Sequence, residues 1–387
     1  MFIDPLFKLM AEKQASDLFF TAGAPIQIKI NGVVMPVNTQ VLDPATVKKI
    51  SYEVMSELQI QAFEKNLEMN FAVGRADLGS FRVNVFRQRG AVAMVIRFIK
   101  PDIPSIEDLK LPPVLKDLVM EKLGMIIIVG STGSGKSSSM AAMIDYRNST
   151  RTGHILTIED PMEFAYKHKK SIVNQREVGM DTACYENALI SAMREAPDLL
   201  MIGEIRDRQT LQSALLFAQT GHLCLSTLHA NNSYHAMNRI INFFPREVRE
   251  ALLADLAISL KCVISQRLIR AKAGGRIPAV EIMLNTAHIS ELIKNGEMGE
   301  IKDAMEQSLA PGSQTFEQSL YALYSEGKIT IEDALANADS ATNLHWLINN
   351  AGKAPDAQQP ASSSSEPRTT TQPGDDLSSI KLNLDMV

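Results

Sequence analysis

The sequence predicts an α/β protein, and three observations carry that expectation. Apolar runs alternate with helix-period segments across residues 114–270. One run, Met125-Ile126-Ile127-Ile128-Val129, leads directly into a glycine-rich loop at Gly130 to Gly135. The first hundred residues read instead as hairpins around a helical stretch, so a smaller α+β domain precedes the α/β one.

The elements follow in order. Pro25 to Val37 alternates apolar and polar residues around Asn31-Gly32, which signals a two-residue hairpin. Asp43-Pro44 opens a helical stretch to about Lys65. Phe81 to Phe98 reads as two strands joined near Gln88-Arg89-Gly90. Four prolines within 101–113 mark a linker. Beyond it, strands are expected at 125–130, 154–158, 198–203 and 222–227, and helices at 136–148, 182–195, 207–219 and 246–261. Such alternation implies a sheet covered on both faces. Residues 286–349 read as helix-rich. The expected organisation is therefore a first domain at 1–100, a linker at 101–113, an α/β domain with carboxy-terminal helices at 114–350, and a tail at 351–387.

The tail from Gly352 to Asp376 is rich in Pro, Ser, Thr, Gln and Ala. It cannot bury enough apolar area to offset chain entropy, so disorder is expected. Its end turns apolar, with Ile380, Leu382, Leu384 and Met386 two apart. That spacing leaves open an inert tail or a short docking strand.

Composition excludes several classes. The 387 residues carry a net charge of −5, which offers no basic footprint for nucleic acid. Cys184, Cys224 and Cys262 form no C-x-x-C pair, which argues against a structural zinc site and for buried reduced thiols. No cationic start with an apolar stretch and cleavage site is seen, nor a run of about 18 apolar residues. A soluble cytosolic protein is expected.

The loop carries the chemistry. Gly130, Ser131, Thr132, Gly133, Ser134, Gly135, Lys136 and Ser137 have the G-x-x-x-x-G-K-S spacing, with Ser138 following in the helix. Glycines let backbone N–H groups cradle phosphate oxygens, a lysine reaches the β- and γ-phosphates, and a serine hydroxyl can ligate Mg²⁺. The following helix points its N-terminus at the phosphates. ATP and Mg²⁺ are the expected ligands.

Hydrolysis also needs carboxylates to hold the metal and orient water. Thr157 to Glu163 supplies one acidic cluster after a predicted strand, and Asp198 to Glu204 supplies a second strand ending in Gly203-Glu204. His222 and His229 bracket the strand 222–227, which points to a phosphate-sensing or positioning role. Arg82, Arg87, Arg89 and Arg97 lie on the last strand pair of the first domain. They form either a solvated face or a set that reaches phosphate in a neighbouring subunit through the planar guanidinium fork.

Together these boxes resemble the secretion-type ATPase superfamily that powers type IV pili and type II secretion, over about residues 1–345. The retraction branch (the PilT/PilU family) is the nearest resemblance, through Ala15-Ser16-Asp17-Leu18 and Gly23 to Val37. Extension motors carry a longer amino-terminal region and a tetracysteine zinc site, neither seen in this sequence.

The resemblance implies a PAS-like amino-terminal domain and a RecA-like ATPase domain with a helical carboxy-terminal region. It implies that Lys136 and Ser137 bind phosphates and Mg²⁺, and that Glu163 orients or activates water. Glu204 would be the Walker B carboxylate, reaching the metal partly through water, and His222 and His229 the histidine-box pair. Arg82 and Arg97 would act across a subunit interface. It further implies a homohexamer at the cytoplasmic face of the inner membrane at the pilus base, reaching the membrane through partners only. Those partners would be a PilT-like retraction ATPase and the platform protein of the pilus machine.

His288-Ile289-Ser290-Glu291-Leu292-Ile293 departs from the principal retraction motor, which has Ala-Ile-Arg-Asn-Leu-Ile there. This departure and the long tail resemble the accessory PilU group. An ATP-binding adaptor and a type II secretion ATPase are the alternatives.

Overall fold

The computed structural model describes residues 2–350 apart from 31, 76, 77, 100 and 101. The expectations for 351–387, including Ile380, Leu382, Leu384 and Met386, lie outside the described residues.

Helix α1 (Asp4–Glu12) opens the chain. Strands β1 (Asp17–Phe20), β2 (Gln27–Ile30) and β3 (Val33–Pro36) follow. Ile30 pairs with Val33, so the hairpin turns in the expected two residues. The expected helical stretch to Lys65 is two helices, α2 (Pro44–Glu53) and α3 (Glu57–Asn66). The break has a local cause. Ser56 and Gln59 form a capping box, each side chain satisfying the other's backbone N–H, which starts a new helix.

Strands β4 (Glu68–Arg75), β5 (Gly79–Gln88) and β6 (Ala91–Ile99) complete an antiparallel sheet in the order β3-β2-β1-β6-β5-β4. Arg89 and Gly90 both have positive φ, 48° and 79°, as a turn matching the strand twist requires. Phe7 of α1 stacks on Phe81 at 4.2 Å, and Phe81 on Phe98 at 5.1 Å. Such pairs contribute about 0.5–1.5 kcal/mol each beyond area burial. Val47, Ile50 and Phe63 from α2 and α3 close the same core.

The second half of the expected linker is not free chain. Ile106 and Leu111 are buried with Leu115 and Val119 against Ile126 and Ile128. Leu115 and Val119 belong to helix α4 (Val114–Val119). Packing therefore begins at Ile106, because those side chains supply one face of the next core.

The second sheet starts with β7 (Gly124–Val129), all six residues buried, followed by α5 (Lys136–Thr150). Next come β8 (Gly153–Glu159), β9 (Ser171–Glu177), α6 (Tyr185–Ala192) and β10 (Leu199–Ile202). Then come α7 (Arg208–Gln219), β11 (Leu223–Leu228), α8 (Ser233–Asn242) and α9 (Arg249–Ser259). The expected helix over 246–261 gives way at Leu260 to β12 (Leu260–Arg270), because Leu260 enters the ladder beside Met125. Strand β13 (Arg276–Leu284) pairs antiparallel with β12.

The order is β13-β12-β7-β11-β10-β8-β9, parallel except at β13. Met125, Ile127 and Val129 face one core with α7, while Ile126 and Ile128 face the other with α5. The sheet is thus covered on both faces, as expected of parallel strands joined by helices. Helices α10 (Ala287–Asn295), α11 (Ile301–Glu306), α12 (Phe316–Ser325), α13 (Ile331–Asn337) and α14 (Ala341–Asn350) form the expected helical region. The fold is the expected α/β class with an amino-terminal α+β portion. Among the described residues, no helix is long and apolar enough to cross a membrane. Burial pushes the Cys224 thiol up to about 12, so it is inert at neutral pH.

Candidate active site

Parallel registry decides which ends of the strands meet. Val129 pairs with Leu228, Ser226 with Ile202, and Ile202 with Ile158. The carboxyl ends of β7, β8, β10 and β11 therefore share one edge, where open α/β sheets bind ligands. A pocket of about 230 Å³ opens there, lined by Thr132, Gly133, Lys136, Ser137, Glu163 and Glu204 among others.

The loop is held in shape by packing that only glycine permits. Gly135 has φ 91°, and a Cβ on it would meet Gln266 Nε2 at 2.7 Å. Gln266, on β12, also accepts a hydrogen bond from Ser139 Oγ at 2.6 Å, so β12 braces the loop from behind. Lys136 Nζ donates to the Gly130 and Ser131 carbonyls, each at 2.9 Å. Burial lowers the Lys136 pKa, opposed by the carboxylates of Glu204 and Glu163.

Ser137 Oγ donates to Glu163 Oε1 at 2.8 Å. Glu204 Oε2 accepts from Arg206 Nε at 2.7 Å, and its Oε1 lies 3.2 Å from His229 Nε2. Arg206 also donates to Asp160 at 3.0 Å, tying the two acidic clusters together. The lysine, the serine, both carboxylates and one histidine therefore converge on this pocket.

The donor set suits Mg²⁺. Ser137, Glu163 and Glu204 offer hard oxygens, and among the described residues no three His, Cys, Asp or Glu side chains cluster to cage a metal unaided. Mg²⁺ takes one or two protein oxygens and completes its shell from phosphates and water.

Four expected residues stand elsewhere in this chain. His222 is not in the pocket. It precedes β11, where its carbonyl accepts from Gly124 N at 3.1 Å, and its ring packs on Phe217. A strand rises about 3.3 Å per residue, so β11 holds His222 and His229 about 20 Å apart. Arg82 pairs with Glu177 within the chain at 3.0 Å, an ion pair without hydrogen-bond alignment. Arg97 donates to Asp17 at 2.9 Å. Ser138, in α5, is not among the residues that line the pocket.

Glu159 lies within the acidic cluster of the sequence but carries no individual role there, and it lines the pocket. It is buried at the end of β8, where its Oε1 accepts from Thr157 Oγ1 at 2.7 Å and Gln175 Nε2 at 3.3 Å. Thr-x-Glu at a strand end is a faint signal, because alternate residues of a strand share a face. Burial pushes the carboxyl up to about 7 from its ordinary 4.5, despite opposing hydrogen bonds from Thr157 and Gln175.

The folded chain therefore keeps a proton that the unfolded chain loses above pH 4.5. Glu159 costs nothing below that value and destabilises increasingly as pH rises to about 7, by on the order of 3 kcal/mol at full ionisation. Glu159→Gln should match the wild type in urea unfolding near pH 4.5 and become progressively more stable than it toward pH 8. A constant difference across that range would contradict the shifted carboxyl.

Residues 1–336 match the family model described as type II/IV secretion system protein. The chain belongs to the type II/IV secretion system protein family. Within that family it is 49% identical over 349 residues to the type IV pilus ATPase PilU of Pseudomonas aeruginosa, covering 90% of this chain and 91% of the relative. It is 38% identical to the type IV pilus retractation ATPase PilT of the same organism, over 89% of this chain and all of that one. A crystal structure of the pilus retraction motor PilT with bound ADP superposes at a TM-score of 0.82, with 41% identity over 88% of this chain and 98% of the other. The resemblance to the retraction branch of this secretion family is borne out by those identities.

Proposed function

We propose that this secretion-family ATPase hydrolyses ATP to assist type IV pilus retraction, in the manner of PilU and together with a PilT-like ATPase. The observation that carries the reading is the convergence of Lys136, Ser137, Glu163, Glu204 and His229 on one pocket edge. A complete hydrolytic site weighs against a purely structural adaptor. The working unit in this proposal is a homohexamer at the cytoplasmic face of the inner membrane, acting on the platform protein of the pilus machine.

Loop amides and Lys136 would hold the phosphates, with Ser137 and Glu204 on the metal side. Mg²⁺ would neutralise charge on the transferred phosphoryl group. Glu163 would orient and polarise the attacking water, its position fixed beforehand by Ser137. His229 would hold the Glu204 carboxylate in place.

A mechanical route from this site to the first sheet is supported by two contacts. Glu163 sits in the loop whose Met162 N donates to Glu177 Oε2 at 3.0 Å. Glu177 in turn pairs with Arg82 on β5. Domain closure over ATP would load this chain of contacts, and hydrolysis would relax it, with the bend taken before Ile106. In the assembled ring, Arg82 and Arg97 would serve the interface between subunits.

Steady-state ATP hydrolysis by the purified full chain, alone and with a purified PilT-like ATPase, tests the proposal. Turnover by this chain's own site, in either condition, supports the motor. Binding to the partner with no turnover in either condition would favour the adaptor.

A further inference from the structure

We propose that Tyr185 is a positioning residue of the hydrolytic site, its hydroxyl holding an ordered water against the Glu204 and Asp160 carboxylates. This rests on the ATPase reading above and adds a residue outside all four sequence boxes.

Tyr185 opens α6, and its side chain lines the same pocket as Lys136, Glu163 and Glu204. Its hydroxyl oxygen is buried and has no hydrogen-bond partner among the protein's groups. A buried phenol hydroxyl normally finds a partner, because its lost hydration is otherwise not replaced. Packing does not ask for it, since phenylalanine would fill the same ring volume. The oxygen even has room made for it. A Cβ on Gly203 would lie 2.9 Å from Tyr185 Oη and 3.3 Å from Glu159 Cα, so the residue before Glu204 must be small for the hydroxyl to sit there.

The surroundings define what the hydroxyl can do. Burial, then the Asp160 charge, raises its pKa, opposed by Arg206 and supported by Glu159 and Glu204. It therefore stays protonated and acts as a donor. Its acceptors are carboxylates that it does not touch directly, an arrangement that a bridging water completes by accepting from the phenol and donating to a carboxylate. Tyr185 takes no proton in this role. It fixes the orientation of water beside Glu204.

The test uses the full-length protein with Tyr185→Phe, and Lys136→Ala as a control. Expected for Tyr185→Phe is a fall in kcat of about ten-fold, less than the about 10²-fold that a 1 Å misplacement of a reacting group can cost, since only one water's orientation is loosened. The KM for ATP and the Kd of a fluorescent non-hydrolysable ATP analogue should stay within about two-fold, and the Tm should not fall, since phenylalanine keeps the ring packing. A high-resolution structure with the analogue should show a water within about 3.2 Å of Tyr185 Oη in the wild type and not in the variant. A kcat within about two-fold of wild type, or an Oη bonded to a protein group with no water, overturns the proposal. If Lys136→Ala hydrolyses ATP normally, the ATPase site assignment falls instead, and the water at Oη still decides Tyr185.

Discussion

Replacing Lys136 with alanine is expected to lower ATP hydrolysis by about 10²–10³-fold, the range seen when one fixed donor to a developing oxyanion is removed. The ammonium group is held in advance by two loop carbonyls at 2.9 Å, so little reorganisation is needed when phosphate arrives. Its desolvation cost is also already met in the folded chain, as its lowered pKa records. Those features make its charge more effective than the same charge in water. The fold should survive, because Lys136 sits at the first turn of α5 while the helix is anchored by Met140, Met143 and Ile144. Hydrolysis assays with circular dichroism check both halves. Turnover near the wild-type rate, or a lost fold, would each contradict the role assigned to Lys136.

Glu163→Gln should lower the chemical step by about 10²–10⁴-fold while nucleotide affinity stays within a few-fold, as expected for loss of a positioned general base. Glutamine keeps the acceptor for Ser137 Oγ, now 2.8 Å from Glu163 Oε1, so geometry is retained and only charge and basicity are lost. Single-turnover hydrolysis separates this from a binding defect. A variant that binds ATP poorly would place Glu163 in ground-state binding. A variant with unchanged turnover would pass the role to another carboxylate, and Glu159 is the buried candidate in the same pocket.

The two residues differ in how they were found. Lys136 is legible because its whole context is local. A buried strand, six loop residues and a helix start fall within thirteen positions, and each demands particular residue types. Glu163 was legible through resemblance, and the acidic segment itself only marked a region. Glu159 was marked only as part of that segment, and Tyr185 and Gln266 left almost no local trace. Gln266 lies 127 residues from its partner Ser139, and its place behind the loop exists only because β12 pairs with β7.

The same reason explains the misread elements. Residues 246–261 keep a helical pattern past the true end of α9, and the pairing of Leu260 with Met125 overrides it. His222 and His229 bracket β11, as the sequence suggests, and only His229 lines the pocket. An extended strand sets the two at opposite ends of a sheet. Arg82 and Arg97, expected to act across a subunit interface, pair within this chain with Glu177 and Asp17.

The sequence by itself determined the phosphate loop, the strand and helix that flank it, the first hairpins and the family, because backbone conformation and short-range spacing are set by adjacent residues. Only the tertiary structure decided which carboxylates share the pocket, which histidine reaches Glu204, and that a tyrosine hydroxyl waits there without a partner. Those facts depend on strand order and register, and these are fixed by cooperative pairing and burial between segments far apart in the chain.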